Sequence, residues 1–364
     1  MRARSTRLAG IALAAGLGLA SLAACGSSDN TSSTPGSTGD GAASGAKKIA
    51  LLLPETKTTR YETFDKPLFE EAVKAACPDC TIIYSNADQN AAKQQQQAES
   101  ALTQGADVLV LDPVDGAAAA SVVASAKASN IPVVAYDRFI EGANYYVSFD
   151  NATVGKIQAQ TLVDTIKKAG KTSGDLVMIN GAPTDPNAAD FKAGAHSVLD
   201  GSGFKVAAEY DTPDWSPDKA QSWMEGQISA VKGTLVGVYA ANDGTAGGAI
   251  AALKGGGVTP LPPVTGQDSE LAAIQRILLG DQAMTIYKPI KPEAAAAANA
   301  AIALANGKTP AKTADFKTVP STILDPIAVT KDNVKDTVVK DGIYKVSDIC
   351  TGEVAAACTA AGIS

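Results

Sequence analysis

Histidine is almost missing: the 364 residues contain one, His196. A His-ligated metal centre therefore has almost nothing to build on, and a Ser-His-Asp machine has a single possible base. His196 falls mid-helix between Ala195 and Ser197 and reads as structural. Aromatics are scarce at 5%, and positive charge is short, with a formal net charge of −7. Loss of Arg2, Arg4 and Arg7 with an N-terminal leader would make it −10. Such an acidic chain is a poor partner for a phosphate backbone, which sets nucleic acid aside. No Gly-rich phosphate loop follows a strand; Gly255-Gly256-Gly257 closes a helix and reads as a turn, so a nucleotide site has no support. Beyond the first residues no stretch is apolar enough to span a membrane. What is present, 45% apolar and 19% charged residues, is the composition of a folded globular protein long enough for two domains.

Residues 1–25 read as a leader. Arg2, Arg4 and Arg7 form a basic start, and Ile11 to Leu22 is apolar but too short to span a bilayer. The run ends in Leu22-Ala23-Ala24-Cys25-Gly26, which resembles the lipobox of bacterial lipoproteins. That resemblance implies a signal peptide over 1–25, cleavage before Cys25, and lipidation of its thiol. The other reading is an ordinary signal peptide with a chance Cys. Residues 26–46, nearly all Gly, Ser, Thr, Asp, Asn and Ala, form no core and read as a flexible tether. The expected location is extracytoplasmic, anchored to the outer or periplasmic side of a membrane by lipid.

Four further cysteines fall in two close pairs, Cys77/Cys80 and Cys350/Cys358. An exported chain meets oxidising conditions, so both pairs are expected as disulfides. Cys77-Pro78-Asp79-Cys80 also has redox-motif spacing. It follows a helical pattern rather than opening a helix, where the dipole would lower a thiol pKa. A structural staple is the favoured reading, with a redox or metal role as the other.

From Lys48 the chain alternates strand and helix. Ile49–Leu53, Val108–Leu111 and Val133–Tyr136 are continuous apolar runs, as expected of strands buried on both faces. Helical patterns separate them, and the rhythm restarts after Tyr145–Phe149. The alternation predicts parallel sheets with helices on both faces, in two doubly wound, Rossmann-like blocks.

In open α/β sheets ligands bind outside the carboxyl ends of the strands. The residues that follow the predicted strands are Glu55, Lys57, Arg60 and Tyr61; Asp137 and Arg138; Asp150 and Asn151; Asn180, Thr184, Asp185 and Asn187; Asn242 and Asp243; Gln267 and Asp268; and Lys288, with Tyr210, Asp214 and Trp215 near a weaker strand. Carboxylates accept from paired hydroxyls, Arg and Lys donate, Asn does both, and aromatic faces cover apolar C–H surfaces. Together they suit a sugar. Each also has a plainer reading: Asn187, Asp243 and Asp268 as helix caps, Asp137-Arg138 as a surface ion pair, Trp215 as core and Lys288 as a solvated lysine.

At these residues the chain resembles the periplasmic sugar-binding proteins of ABC transporters, and among them the D-xylose-binding proteins. The motifs are Ala135-Tyr136-Asp137-Arg138; Ser148-Phe149-Asp150-Asn151 with Val154-Gly155; Pro183-Thr184-Asp185 with Asn187-Ala188; Asn242-Asp243 with Thr245 to Ile250; Gly266-Gln267-Asp268; and Tyr287-Lys288-Pro289-Ile290. The resemblance implies a type I periplasmic binding protein, two lobes joined by a three-crossing hinge. It divides the chain into 47–149 and 289–318 for the N-terminal lobe, and 150–288 and 319–364 for the C-terminal lobe. It carries over Arg60, Asp137, Arg138, Asn151, Asn187, Asn242, Asp268 and Lys288 as ligand contacts, with Tyr61 and Trp215 as stacking aromatics. Tyr61 stands where the family has Trp, and so does Tyr210.

The expected function is a non-enzymatic, monomeric receptor without metal or cofactor. It would bind a monosaccharide such as D-xylose and hand it to an ABC permease, with its membrane contact through the lipid on Cys25. The alternatives are a receptor for glucose or galactose, a binding protein serving a membrane sensor, and a glycoside hydrolase using Asp137 and Asp268.

Overall fold

The computed structural model describes residues 46–363; the leader, Cys25 and nearly all of the tether lie outside them. The first block runs Lys48–Leu53 (β1), Lys66–Ala76 (α1), Thr81–Asn86 (β2), Ala91–Thr103 (α2), Val108–Leu111 (β3), Ala120–Ala128 (α3), Val133–Tyr136 (β4) and Tyr145–Phe149 (β5). The second runs Asn151–Lys168 (α4), Asp175–Asn180 (β6), Pro186–Leu199 (α5), Lys205–Asp211 (β7), Pro217–Val231 (α6), Leu235–Ala240 (β8), Asp243–Gly255 (α7), Leu271–Leu279 (α8) and Thr285–Tyr287 (β9). Ile290–Ala305 (α9), Ala314–Phe316 (β10), Val319–Leu324 (β11), Ile327–Val329 (β12), Val346–Ile349 (α10) and Val354–Ala360 (α11) complete the chain. Among these residues no helix is long and apolar enough to cross a membrane.

The first sheet has the order β10-β11-β5-β4-β3-β1-β2, parallel throughout except for β10. Its fully buried runs are sandwiched between α1 and α9 on one face and α2 and α3 on the other. The second sheet has the order β7-β6-β8, and β8 forms a parallel bridge to Val264, whose carbonyl accepts from Ala283 N, two residues before β9, at 2.9 Å. Here α4 and α5 cover one face, α6 and α7 the other. Both sheets reverse strand order beside their first strand, between β1 and β3 and between β6 and β8. These are the switch points where such sheets form crevices.

Two glycines let α4 and α5 approach closely. A Cβ on Gly155 would sit 1.9 Å from Phe191 O, and one on Gly194 would sit 2.0 Å from Ala152 O. The Val154-Gly155 motif is thus a packing requirement. Several helices start on the side-chain caps that strand-to-helix turns favour: Asp150 accepts from Thr153 N, Asp185 from Asn187 N and Asn242 from Thr245 N.

The passage into the C-terminal lobe expected at 319 falls later. Val319–Leu324 is β11, paired in parallel with β5, so this segment belongs to the first sheet. The chain leaves it after Leu324 and pairs β12 antiparallel with β9. Residues beyond β12 fold over α8 around Val334, Val338, Ile349 and Val354. Both cysteine pairs are bonded, with Cα atoms 5.3 Å apart for Cys77 and Cys80 and 5.8 Å for Cys350 and Cys358. The first closes the turn from α1 into β2, the second ties α10 to α11. His196 lies on the surface of α5 between Asp200 and Glu209.

Candidate functional site

The carboxyl ends of the two sheets face one another across a narrow cleft. Thr58, Tyr61, Asp137, Arg138, Asp185, Asn187, Phe191, Trp215, Asn242, Gln267, Asp268 and Lys288 line it. The cavity measures about 20 Å³, room for one water.

Asp137 follows β4 with φ 56°, and Asp268 follows the Val264 segment with φ 89°. Left-handed backbone is uncommon for these residues and persists where the surroundings over-determine it. Around Asp137 the surroundings do so: its N–H donates to Val147 O, and its carbonyl accepts from Ser148 Oγ at 2.5 Å, Tyr146 Oη at 3.2 Å and Asn187 Nδ2 at 3.0 Å. The Asn187 bond joins the two blocks. Asp137 Oδ1 accepts from Arg60 Nη1 at 3.2 Å, with Lys288 Nζ at 3.9 Å, while Tyr61 Oη stands 3.4 Å from Oδ2. Burial alone would raise the Asp137 pKa, but Arg60, Lys288 and Arg138 outweigh it and hold the carboxyl at about 2.

Arg138 donates from Nη1 to Pro113 O and from Nη2 to Tyr61 Oη, each at 3.0 Å. Its Nε lies 2.8 Å from Asp185 Oδ2 in the other block and 3.5 Å from Asp112 Oδ1 in its own. Asp185 also accepts from Trp215 Nε1 at 2.9 Å, which sets the indole in the cleft wall. The indole lies flush on Gly181, where a Cβ would come within 2.1 Å of it. Lys288 reaches Asp268 Oδ1 at 3.0 Å. Burial works against the Lys288 charge, but Asp268 and Asp137 more than restore it and raise its pKa. Asn242 uses Oδ1 to cap α7 and lines the cleft beside Gln267.

Eight of the ten expected contact residues therefore line one cavity. Two do not. Arg60 sits behind Asp137, 1% exposed, with its guanidinium held by Asp65, Asp137 and Glu293. Asn151, the first residue of α4, bonds Ser148 Oγ at 3.3 Å and is not part of the lining. Tyr210 stacks on Trp223 of α6, with ring centroids 5.0 Å apart, and is not part of the lining. Asp185 and Gln267 stand in the strand-end inventory but were not expected as contacts; their position at sheet ends was the available signal. Thr58 and Phe191 carried none. Asp65, Asp112 and Glu293 form a buried acidic layer behind the lining. Burial pushes Asp112 well above the usual carboxylate range, against the pull of Arg138. Tyr61 starts a single π-turn, Tyr61–Asp65, that presents Tyr61 to the cleft and Asp65 to Arg60.

Geometry of this kind, two parallel sheets with a polar crevice at their facing ends, belongs to a recognisable group. A family model described as a periplasmic binding protein domain matches residues 49–309. The chain belongs to the periplasmic binding protein family. A D-xylose-binding periplasmic protein of Escherichia coli (strain K12) is 38% identical over 312 residues, 83% of this chain and 92% of that protein. The multiple sugar-binding periplasmic receptor ChvE of Rhizobium radiobacter is 35% identical over 288 residues, 72% of this chain and 81% of that one. Among solved structures, an ABC transporter solute binding protein from Clostridium phytofermentans with bound β-D-glucose superposes with a TM-score of 0.77. It is 27% identical, and the match covers 83% of this chain and all of that one. The fold of this periplasmic binding protein is the expected type I arrangement.

Proposed function

We propose that this protein captures a monosaccharide, D-xylose first among the candidates, between its two sheets and delivers it to an ABC import permease. The observation that carries the reading is the cavity itself. Asp137, Asp185 and Asp268 provide acceptors, Arg138 and Lys288 donors, Asn187 and Asn242 both, and Tyr61 and Trp215 aromatic faces. A ring dense in hydroxyls with apolar C–H faces matches that set. Relatives named as D-xylose-binding and multiple sugar-binding proteins support the same class. Nothing in the reading calls for catalysis, and the relatives are transport proteins.

A cavity of about 20 Å³ is too small for a sugar ring, so binding requires the two blocks to move apart and close again. We take the blocks as lobes, 47–149 with 289–324 and 150–288 with the remainder, hinged at the three crossings. The lipid on Cys25 would keep the monomeric receptor at the extracytoplasmic membrane surface, and the two disulfides would persist there.

A hexose is the second reading. Neighbours with bound D-glucose, such as the Chloroflexus aurantiacus protein at 29% identity and a TM-score of 0.75, favour it. Titration calorimetry over D-xylose, D-glucose, D-galactose and D-arabinose decides between them. Binding of D-xylose at least tenfold tighter than the hexoses supports the first reading; binding of none refutes the class. Release of reducing sugar from xylo-oligosaccharides would favour a hydrolase instead.

A further inference from the structure

Helix α9 buries alanine after alanine against the first sheet: Ala294, Ala297, Ala298 and Ala301 are fully covered. Glu293, in its first turn, is equally covered and is the exception in chemistry. A carboxylate in such a place is expensive, and an apolar side chain of similar volume is often neutral or better for stability. Its Oε1 makes no hydrogen bond among the described residues, which adds to the expense. Stability alone therefore does not account for it.

Its one hydrogen-bond partner among the described residues is Arg60, whose Nη2 lies 2.8 Å from Glu293 Oε2. Three carboxylates from three elements grip that guanidinium. Asp65, from the π-turn, takes Nε at 2.9 Å and Nη2 at 2.6 Å, and is itself held by Tyr136 Oη at 2.5 Å. Glu293 takes the Nη2 edge, and Nη1 is left to meet Asp137 Oδ1. A planar group pinned at two edges has its third direction set. Asp137 is thereby held by Oδ1, and Oδ2, with only the long 3.4 Å approach of Tyr61 Oη, is left for a ligand.

We propose that Glu293 is a positioning residue for the sugar-accepting carboxylate of Asp137, acting through Arg60. The assignment rests on the monosaccharide reading above. Glu293 does not line the cavity; it fixes the angle at which Arg60 presents Nη1. Burial pushes its carboxyl well above the usual range, against the pull of Arg60. What Arg60 Nη2 needs at this place is an acceptor oxygen, and an amide oxygen can supply it.

The test is a double-mutant cycle on the purified full chain, titrated with D-xylose and with D-glucose. Glu293→Leu is expected to weaken sugar binding about tenfold while the protein stays folded by thermal melt. Glu293→Gln, which keeps an acceptor for Arg60, is expected to stay within threefold of wild type. In an Asp137→Asn background, Glu293→Leu is expected to change affinity less than twofold, because its route to the ligand is gone. Should Glu293→Leu fail to fold, Glu293→Met carries the same cycle. Wild-type affinity in Glu293→Leu, an equal loss in both backgrounds, or a Gln variant as weak as the Leu variant overturns the assignment. Failure of wild type to bind any of D-xylose, D-glucose, D-galactose and D-arabinose overturns the monosaccharide reading, and this assignment with it.

Discussion

Arg138 and Asp185 meet across the cleft, Nε to Oδ2 at 2.8 Å, one from the end of β4 and the other from the cap of α5. Both are buried, and Arg138 has a second carboxylate, Asp112, at 3.5 Å in its own block. Asp185 thus ties the end of one sheet to the other, and Asp112 faces Arg138 from within its own block, so the buried guanidinium has a carboxylate on each side.

Asp185→Asn keeps the size and the α5 cap but removes the charge that Arg138 meets. Sugar-free protein should become less compact by small-angle scattering, and sugar affinity should fall about tenfold or more. Unchanged scattering and unchanged affinity together would show that the pair does not hold the lobes.

Asp268→Ala removes a cleft acceptor and leaves Lys288 facing a weaker partner at 3.9 Å. A lost bond to a charged group is worth roughly 1.5–3 kcal/mol, about 10- to 150-fold in affinity. Asp150→Ala, which loses only the cap of α4, should lower stability by about 1 kcal/mol and leave calorimetric affinity within twofold.

Gly155→Ala forces a methyl to within 1.9 Å of the Phe191 carbonyl oxygen, a backbone atom with no room to retreat. The α4–α5 contact must open, at about 1–3 kcal/mol or more. Thermal melts should show the loss, whereas Gly170→Ala, in open space, should cost less through its positive φ alone.

Acid and base should act on different groups. The Asp137 carboxyl sits at about 2, below its unfolded value, so its contribution is present above that unfolded value and is lost only as pH falls through about 2. Asp137 should therefore impose no slope on sugar affinity between pH 8 and 5. Glu270, at the start of α8, is pushed up to about 7 by burial, with Asp268 beside it. Its folded form favours the proton, so its stabilising effect is present below the unfolded pKa and fades as pH rises towards 7. Glu270→Gln should gain melting temperature over wild type at pH 8 and match it near pH 5. Equal differences at both pH values would contradict this.

The cysteines give a compartment test. Non-reducing mass spectrometry of the exported chain should find Cys77 linked to Cys80 and Cys350 to Cys358, and Cys25→Ser should release the protein from the detergent phase without altering its melt. Free thiols at all four positions would argue against an oxidising destination.

Local chemistry accounts for what could be read ahead of the fold. Continuous apolar runs such as Ile49–Leu53 determined buried parallel strands, because a strand covered on both faces has no polar side to show. Polar residues just after those runs had to stand at sheet ends, so Asp137, Arg138, Asn187, Asn242, Asp268 and Lys288 were legible as one site. Tertiary structure alone decided the rest. Glu293 finds Arg60 across 233 residues of chain, and no periodicity or spacing encodes that meeting. Arg60 follows a strand as its neighbours do, yet three buried carboxylates turn it away from the cavity. Val319–Leu324 joins the first sheet because β5 offers a free edge, a property of the assembled sheet and not of the segment. Residue type and order set which groups reach the sheet ends; the non-local packing of α9, the π-turn and β4 set which of them face the cleft.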